Sequence, residues 1–232
     1  MTHTENVEEL DQVIDISTAL FEDANHHSVS APYVTMMGLF AALIEQCKSL
    51  SILLHAQRFV ATQSIVRNAL EIYVDIKNVE KNGNYVNYLW AEYYNREKEQ
   101  SRKKSQQKKY RKLRQESYSL YKPNQDFSCI SIYDKFKLAE LQEEYRTVYS
   151  TLSSHTHSGV FSLLNRVIET DQVNKLCEQG LFKMAPSKIE IAAIPLVTYY
   201  LLDASETIAK GHGDEPTELI IAFRQYLMSK SS

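Results

Sequence analysis

"YVTMMGLFAALIEQCKSLSILL", residues 33–54, contains one glycine and no proline. Its apolar side chains Leu39, Leu43, Ile44, Leu50, Leu53 and Leu54 recur at helical spacing, whereas a strand would alternate them. The stretch therefore reads as a core helix. Working outwards, the same period continues through Phe59, Ile65, Val66, Leu70 and Tyr73 towards Lys81, with a break between two helices near Leu54–Arg58. Upstream, Val7, Leu10, Ile14, Leu20 and Phe21 line one side of a first amphipathic helix over 5–26, ended by "NHHSVSAP". Ser30 is a suitable N-cap for the second helix, and Pro32 falls in its first turn.

Downstream, "KNGNY" closes the third helix, with Gly83 read as its C′ residue. A long helix follows from about Tyr85 to Tyr118, then a loop over 122–134, then a helix from Lys135 that ends at Gly159. A short helix is expected around 170–179, and "SKIE" (187–190) is a capping box that opens a helix to about Lys210. The last helix spans 217–228. The expectation is an all-α bundle of about seven helices, with one long basic helix projecting from it. In domain terms this is a single helical domain over 1–232, a basic arm at 96–118 and a C-terminal helix and tail at 217–232. Six glycines and five prolines are too few for the turns of an all-β chain of 232 residues. A hydrophobic content of 44% suffices for a sizeable core.

Cys47, Cys129 and Cys177 lie far apart and form no CxxC pair, which suits a reducing compartment. "MTHTENVEELDQVIDIS" lacks the apolar centre of a signal peptide. The apolar runs are interrupted short of the roughly 20 residues a membrane span needs. A cytoplasmic protein with no membrane association is expected.

Charge is unevenly placed. "REKEQSRKKSQQKKYRKLR" (96–114) carries ten Lys/Arg against two Glu, a local +8 in a chain of net −3, so the remainder carries −11. Arg102, Lys103, Lys104, Lys108, Lys109, Arg111, Lys112 and Arg114 are the candidate nucleic-acid-binding residues, with Tyr110 an aromatic among them. RNA or another polyanion is the partner this arm implies. A solvated helix is the bland alternative. No RRM signature or zinc-finger spacing supports base-specific reading. A long half-polar helix and fifteen tyrosines add self-association, and a protein partner, to the expected interactions.

Two stretches supply candidate catalytic residues. In "RNALEIYVD", Arg67, Glu71 and Asp75 follow one another at i, i+4 and i+8, on one drifting helix face. Apolar neighbours surround them, so these charges are expected to be partly buried and paired, either as a polar pocket or as an ion-pair ladder. In "YSTLSSHTHSG" (149–159), Tyr149, Leu152, Ser153 and His157 share a helical side while His155 faces elsewhere. A histidine suits acid–base work near neutrality. Ser153 and His157 without a GxSxG elbow do not make a serine hydrolase. His155 and His157 diverge on a helix and no HExxH is present, so no metal and no cofactor is expected.

The pairing of "RNALE" with "LSSHTH" resembles a group of bacterial all-helical proteins classed as a domain of unknown function. Arg67 and Glu71 match its Arg-x-x-x-Glu helix; Tyr149, Leu152, Ser153 and His157 match its Tyr-x-x-Leu-Ser-x-x-x-His segment. The resemblance covers roughly residues 30–165. More distantly the architecture looks like HEPN-type domains, many of which are metal-independent ribonucleases of toxin–antitoxin and phage-defence systems. Their motif places an Arg four to six residues before a His on one helix. Here Arg146 and His155 are eight residues apart in between, so Arg67 would have to serve His157. The resemblance then implies an RNA-binding or RNA-cleaving protein, with His157 as general base or acid and Arg67 stabilising phosphorane charge. Glu71 would orient them, and Ser153 would donate a hydrogen bond. The alternative is a non-catalytic interaction or ligand-sensing module in which the same cluster is structural.

Overall fold

In the computed structural model, residues 3–24, 30–58, 62–156, 188–212 and 218–230 are described. They form α1 (His3–Ala24), α2 (Ala31–His55), α3 (Thr62–Lys81), α4 (Tyr85–Gln100), α5 (Lys104–Tyr121) and α6 (Ile132–Leu138). A continuous helical run follows, made of α7 (Gln142–Glu144), a π-helical turn at Tyr145–Tyr149 and α8 (Ser150–Thr156). The chain resumes in α9 (Lys188–His212) and α10 (Glu218–Lys230). The fold is all-α, with more helical segments than the seven or so expected, because two expected helices are broken.

The core lies where the opening stretch predicts. Phe40, Leu43, Ile44, Cys47, Leu50 and Leu54 of α2 are buried, and α2 packs on α1, α3 and α9. By length and composition α2 is long and apolar enough to cross a membrane, more so than the sequence reading allowed. Its inward side chains are covered by three other helices, as in the central helix of a bundle. Ser30 occupies the N-cap position and Pro32 the first turn, but the Ser30 side chain makes no capping bond. The break after α2 falls at 56–58, and Gln57 has a positive φ of 55°.

Polar contacts join the frame. Ser17 of α1 meets Ser205 of α9 at 2.9 Å, both buried. Tyr73 of α3 donates to Asp203 of α9 at 2.9 Å and stacks on Tyr200 at 4.4 Å between ring centroids. Lys77 reaches the same carboxylate at 3.1 Å.

Three expectations need correction. Gly83 is not a left-handed C′ residue: a Cβ there would lie 3.3 Å from Pro32 Cγ, so the glycine permits close approach of the α3–α4 turn to the start of α2. The long projecting basic helix does not form as one element. It stops at Gln100, and α5 folds back antiparallel along α4, with Arg114 on Asn95 at 2.8 Å and Tyr110 on Tyr94 at 6.4 Å. Burial of α5's tyrosine face against α4 outweighs the continuity that the uninterrupted polar sequence suggested. The helix expected from Lys135 to Gly159 is also divided, at Ala139–Leu141, where Glu140 adopts a φ of 62°. The preceding helix begins earlier than expected because Ser131 caps it, accepting from the Asp134 backbone N–H at 3.1 Å. The short helix around 170–179 and the side chains of "SKIE" lie outside the described residues.

Candidate functional site

Arg67 and Glu71 sit one turn apart on α3, and the packing of α8 and the π-helical turn against α3 brings Tyr149 to them. The Arg67 Nε–H donates to Glu71 Oε1 at 3.1 Å and to the Tyr149 hydroxyl at 3.1 Å. The Tyr149 hydroxyl in turn donates to Glu71 Oε1 at 2.7 Å, closing a triangle. The guanidinium also lies over the Tyr149 ring, 5.2 Å from its centroid. Burial, followed by the carboxylate of Glu71, pushes the Tyr149 phenol up to about 12, so it stays a proton donor throughout the neutral range.

The π-helical turn positions that tyrosine. It lets Tyr145 and Tyr149 stack at 5.4 Å, and Phe136 of α6 packs on both rings. The site is half-open: the side chains of Arg67 and Glu71 retain 27% and 37% exposure. Ser153 lies one turn after Tyr149 on α8. His157 lies outside the described residues, so the cluster described here is Arg67, Glu71 and Tyr149.

Asp75 does not join it. The Tyr85 hydroxyl donates to Asp75 at 2.7 Å, and Lys135 of α6 approaches the same oxygen at 3.5 Å. Lys135 also reaches Glu92 of α4 at 3.1 Å, while the Tyr88 hydroxyl donates to Glu92 at 3.3 Å and accepts from the Ile130 N–H at 3.1 Å. This is a second polar centre, tying α3, α4 and α6 together. Sequence reasoning named none of Tyr85, Tyr88, Glu92 or Lys135 as a site residue. Their only sequence signal was a lysine and a glutamate inside otherwise apolar helical faces.

The basic residues also divide. Arg102, Lys103, Lys104, Lys108, Lys109, Arg111 and Lys112 are exposed, and Lys112 pairs with Glu116 at 3.5 Å. Arg114 instead stays inside the hairpin, bonded to Asn95 and lying over the Phe127 ring at 4.8 Å, so its role is to hold α5 to α4 and the following loop. Among the described residues no group of three His, Cys, Asp or Glu side chains is arranged to hold a metal ion.

The Arg67 triangle joins α3 to the π-helical turn, and Tyr149→Phe removes two of its hydrogen bonds while leaving the ring stacking in place. The expected loss is about 1–2 kcal/mol of stability, read from urea unfolding, with the far-UV spectrum unchanged. An unchanged midpoint would show that the triangle bears no load in the fold.

An all-helical bundle with a half-open Arg–Glu–Tyr cluster and a basic helical hairpin defines the class. The chain belongs to a family of unknown function, DUF5677, whose model matches residues 33–175, from α2 to beyond α8. That span holds both the triangle and the hairpin. No curated protein and no solved structure matches the chain.

Proposed function

We propose that this chain is an RNA-binding protein whose interface is the α4–α5 hairpin. One observation carries the reading: the outward face of α5 presents cations without counter-charges. Among the described residues, no carboxylate lies in ion-pair range of Arg102, Lys103, Lys104, Lys108, Lys109 or Arg111. Lys103 at the N-cap and Lys104 at the first position of α5 stand where the helix dipole is itself positive and where lysine is unfavourable. Lys104, Lys108 and Lys112 repeat at i, i+4, i+8, a like-charge ladder that weakens an isolated helix. An arrangement that opposes local stability is accounted for by a polyanion that neutralises it.

Binding is better supported than cleavage. Arg67, the group a HEPN-like nuclease would turn on the scissile phosphate, donates through Nε to Glu71 and Tyr149. Both partners are groups of the fold itself, Glu71 on α3 and Tyr149 on the π-helical turn. The cluster is accordingly read as a structural tie. The test is incubation of wild type and His157→Ala with a labelled RNA, followed by native and denaturing gels. Retarded, full-length RNA with both proteins is expected. RNA shortened by wild type and left whole by His157→Ala would overturn this reading in favour of cleavage.

A further inference from the structure

The hairpin carries more than charge. Along α4, Tyr85 and Tyr88 point inward with 1% and 0% exposure, whereas Trp90 and Tyr93 are each 48% exposed. Trp90, Tyr93 and Tyr94 occur at i, i+3 and i+4, so they form one stripe, and Tyr110 of α5 stacks on Tyr94. The four rings are contiguous: Trp90–Tyr93 at 5.8 Å, Trp90–Tyr94 at 5.9 Å, Tyr93–Tyr94 at 5.4 Å and Tyr94–Tyr110 at 6.4 Å. Tyr110 is flanked in the chain by Lys108, Lys109, Arg111 and Lys112, all exposed. An apolar protein partner would suit the rings, but would leave Lys108, Lys109 and Arg111 of the same helix without counter-charge.

Resting on the RNA-binding reading, we infer that the Trp90–Tyr93–Tyr94–Tyr110 cluster is a stacking platform for the unpaired bases of a single strand. The α5 cations track its phosphates. Rings open to solvent at Trp90 and Tyr93, on the same hairpin as uncompensated cations, would meet the two features a single strand offers together, base faces and backbone charge. A duplex keeps its base faces stacked internally and would meet only the cations.

Trp90 is the only tryptophan, so its fluorescence reports on this platform and nowhere else. The experiment titrates the full chain with a 15-nucleotide oligouridine, its DNA counterpart and a blunt RNA duplex, following both tryptophan emission and the anisotropy of end-labelled strands. Single strands are expected to change the emission, and Trp90→Ala is expected to weaken their binding about tenfold while leaving duplex binding within about twofold. Trp90→Phe should retain most of the affinity, and far-UV circular dichroism checks that each variant is folded. Equal binding of strand and duplex, with Trp90→Ala matching wild type, would overturn the platform and leave RNA binding intact. Tight binding of the DNA strand alone would overturn the RNA reading and leave the platform standing. Binding of none of the three would overturn both.

Discussion

Lys135→Met is expected to destabilise the fold by about 3–5 kcal/mol at neutral pH, because it leaves two carboxylates without their shared cation. The side chain of Lys135 is 11% exposed, and those of Asp75 and Glu92 are 17% and 20%. Lys135 supplies the only positive charge on Asp75 among the ion pairs of the described residues, and Glu92 has besides it an exposed Arg96 at 3.9 Å. Methionine fills much of the volume, so the loss reports charge rather than a cavity. The dependence on pH has a definite sign. Burial raises the Asp75 carboxyl above its ordinary 3.8, against the lowering influence of Lys135 and of the Tyr85 hydroxyl. A carboxyl with a raised folded-state value binds a proton more readily folded than unfolded, so stability rises as pH falls through that value. The gain is complete below the unfolded value. Removing Lys135 raises the carboxyl further, so the variant's deficit should shrink as the solution is acidified from neutrality. Adding Asp75→Asn and Glu92→Gln should recover most of the lost stability at neutral pH. Urea midpoints at neutral and acid pH measure all of this. A deficit that stays constant with pH would sink the charge explanation.

That centre also shows where sequence reasoning stops. Arg67 and Glu71 are close enough in sequence for their pairing to follow from helix geometry alone. A helix advances about 100° per residue, so each i+4 step drifts by about 40° and Asp75 stands about 80° from Arg67. That drift places Asp75 towards α4 and α6 instead of α8, which no local pattern announces, since Lys135 is sixty residues away. Tyr149 was recognisable as a site residue from its helical side, yet the π-helical turn that stacks it on Tyr145 leaves no trace in hydrophobic periodicity. The core was readable because Leu43, Ile44, Leu50 and Leu54 repeat at helical spacing on a chain poor in glycine and proline. The reversal at 101–103 was not. "SRK" contains neither a glycine nor a proline, and it is tertiary fit, such as that of Tyr94 to Tyr110, Asn95 to Arg114 and Tyr88 to Tyr121, that selects a hairpin over a continuous helix. Glu140 is a similar case, an ordinary helix former held at positive φ by the packing of α6 against the run that follows.

The hairpin's charge leads to the other large effect. Replacing Lys104, Lys108, Arg111 and Lys112 together by glutamine is expected to weaken binding of a single-stranded RNA about 10²–10³-fold at 0.1 M salt. Each phosphate neutralised on a single strand contributes about 0.7 to the slope of log K against log salt, so losing four contacts flattens that slope by about 2.8. The four side chains are exposed, and of them Lys112 pairs with Glu116 at 3.5 Å, so the fold should tolerate their removal. Folded stability should change little, because relief of the like-charge ladder offsets the loss of the Lys112–Glu116 pair. This combination separates an interface from a solvated face: weaker binding, a flatter salt dependence and a fold about as stable as wild type. Arg114→Gln is the internal contrast. It removes a cation of the same run that is engaged with Asn95 and Phe127, so it should cost stability and leave the salt slope nearly unchanged. If Arg114→Gln flattened the slope as much as each of the other cations does, α5 would be acting through net charge alone. If the fourfold variant bound RNA as tightly as wild type, with the same salt dependence, the hairpin would not be the interface.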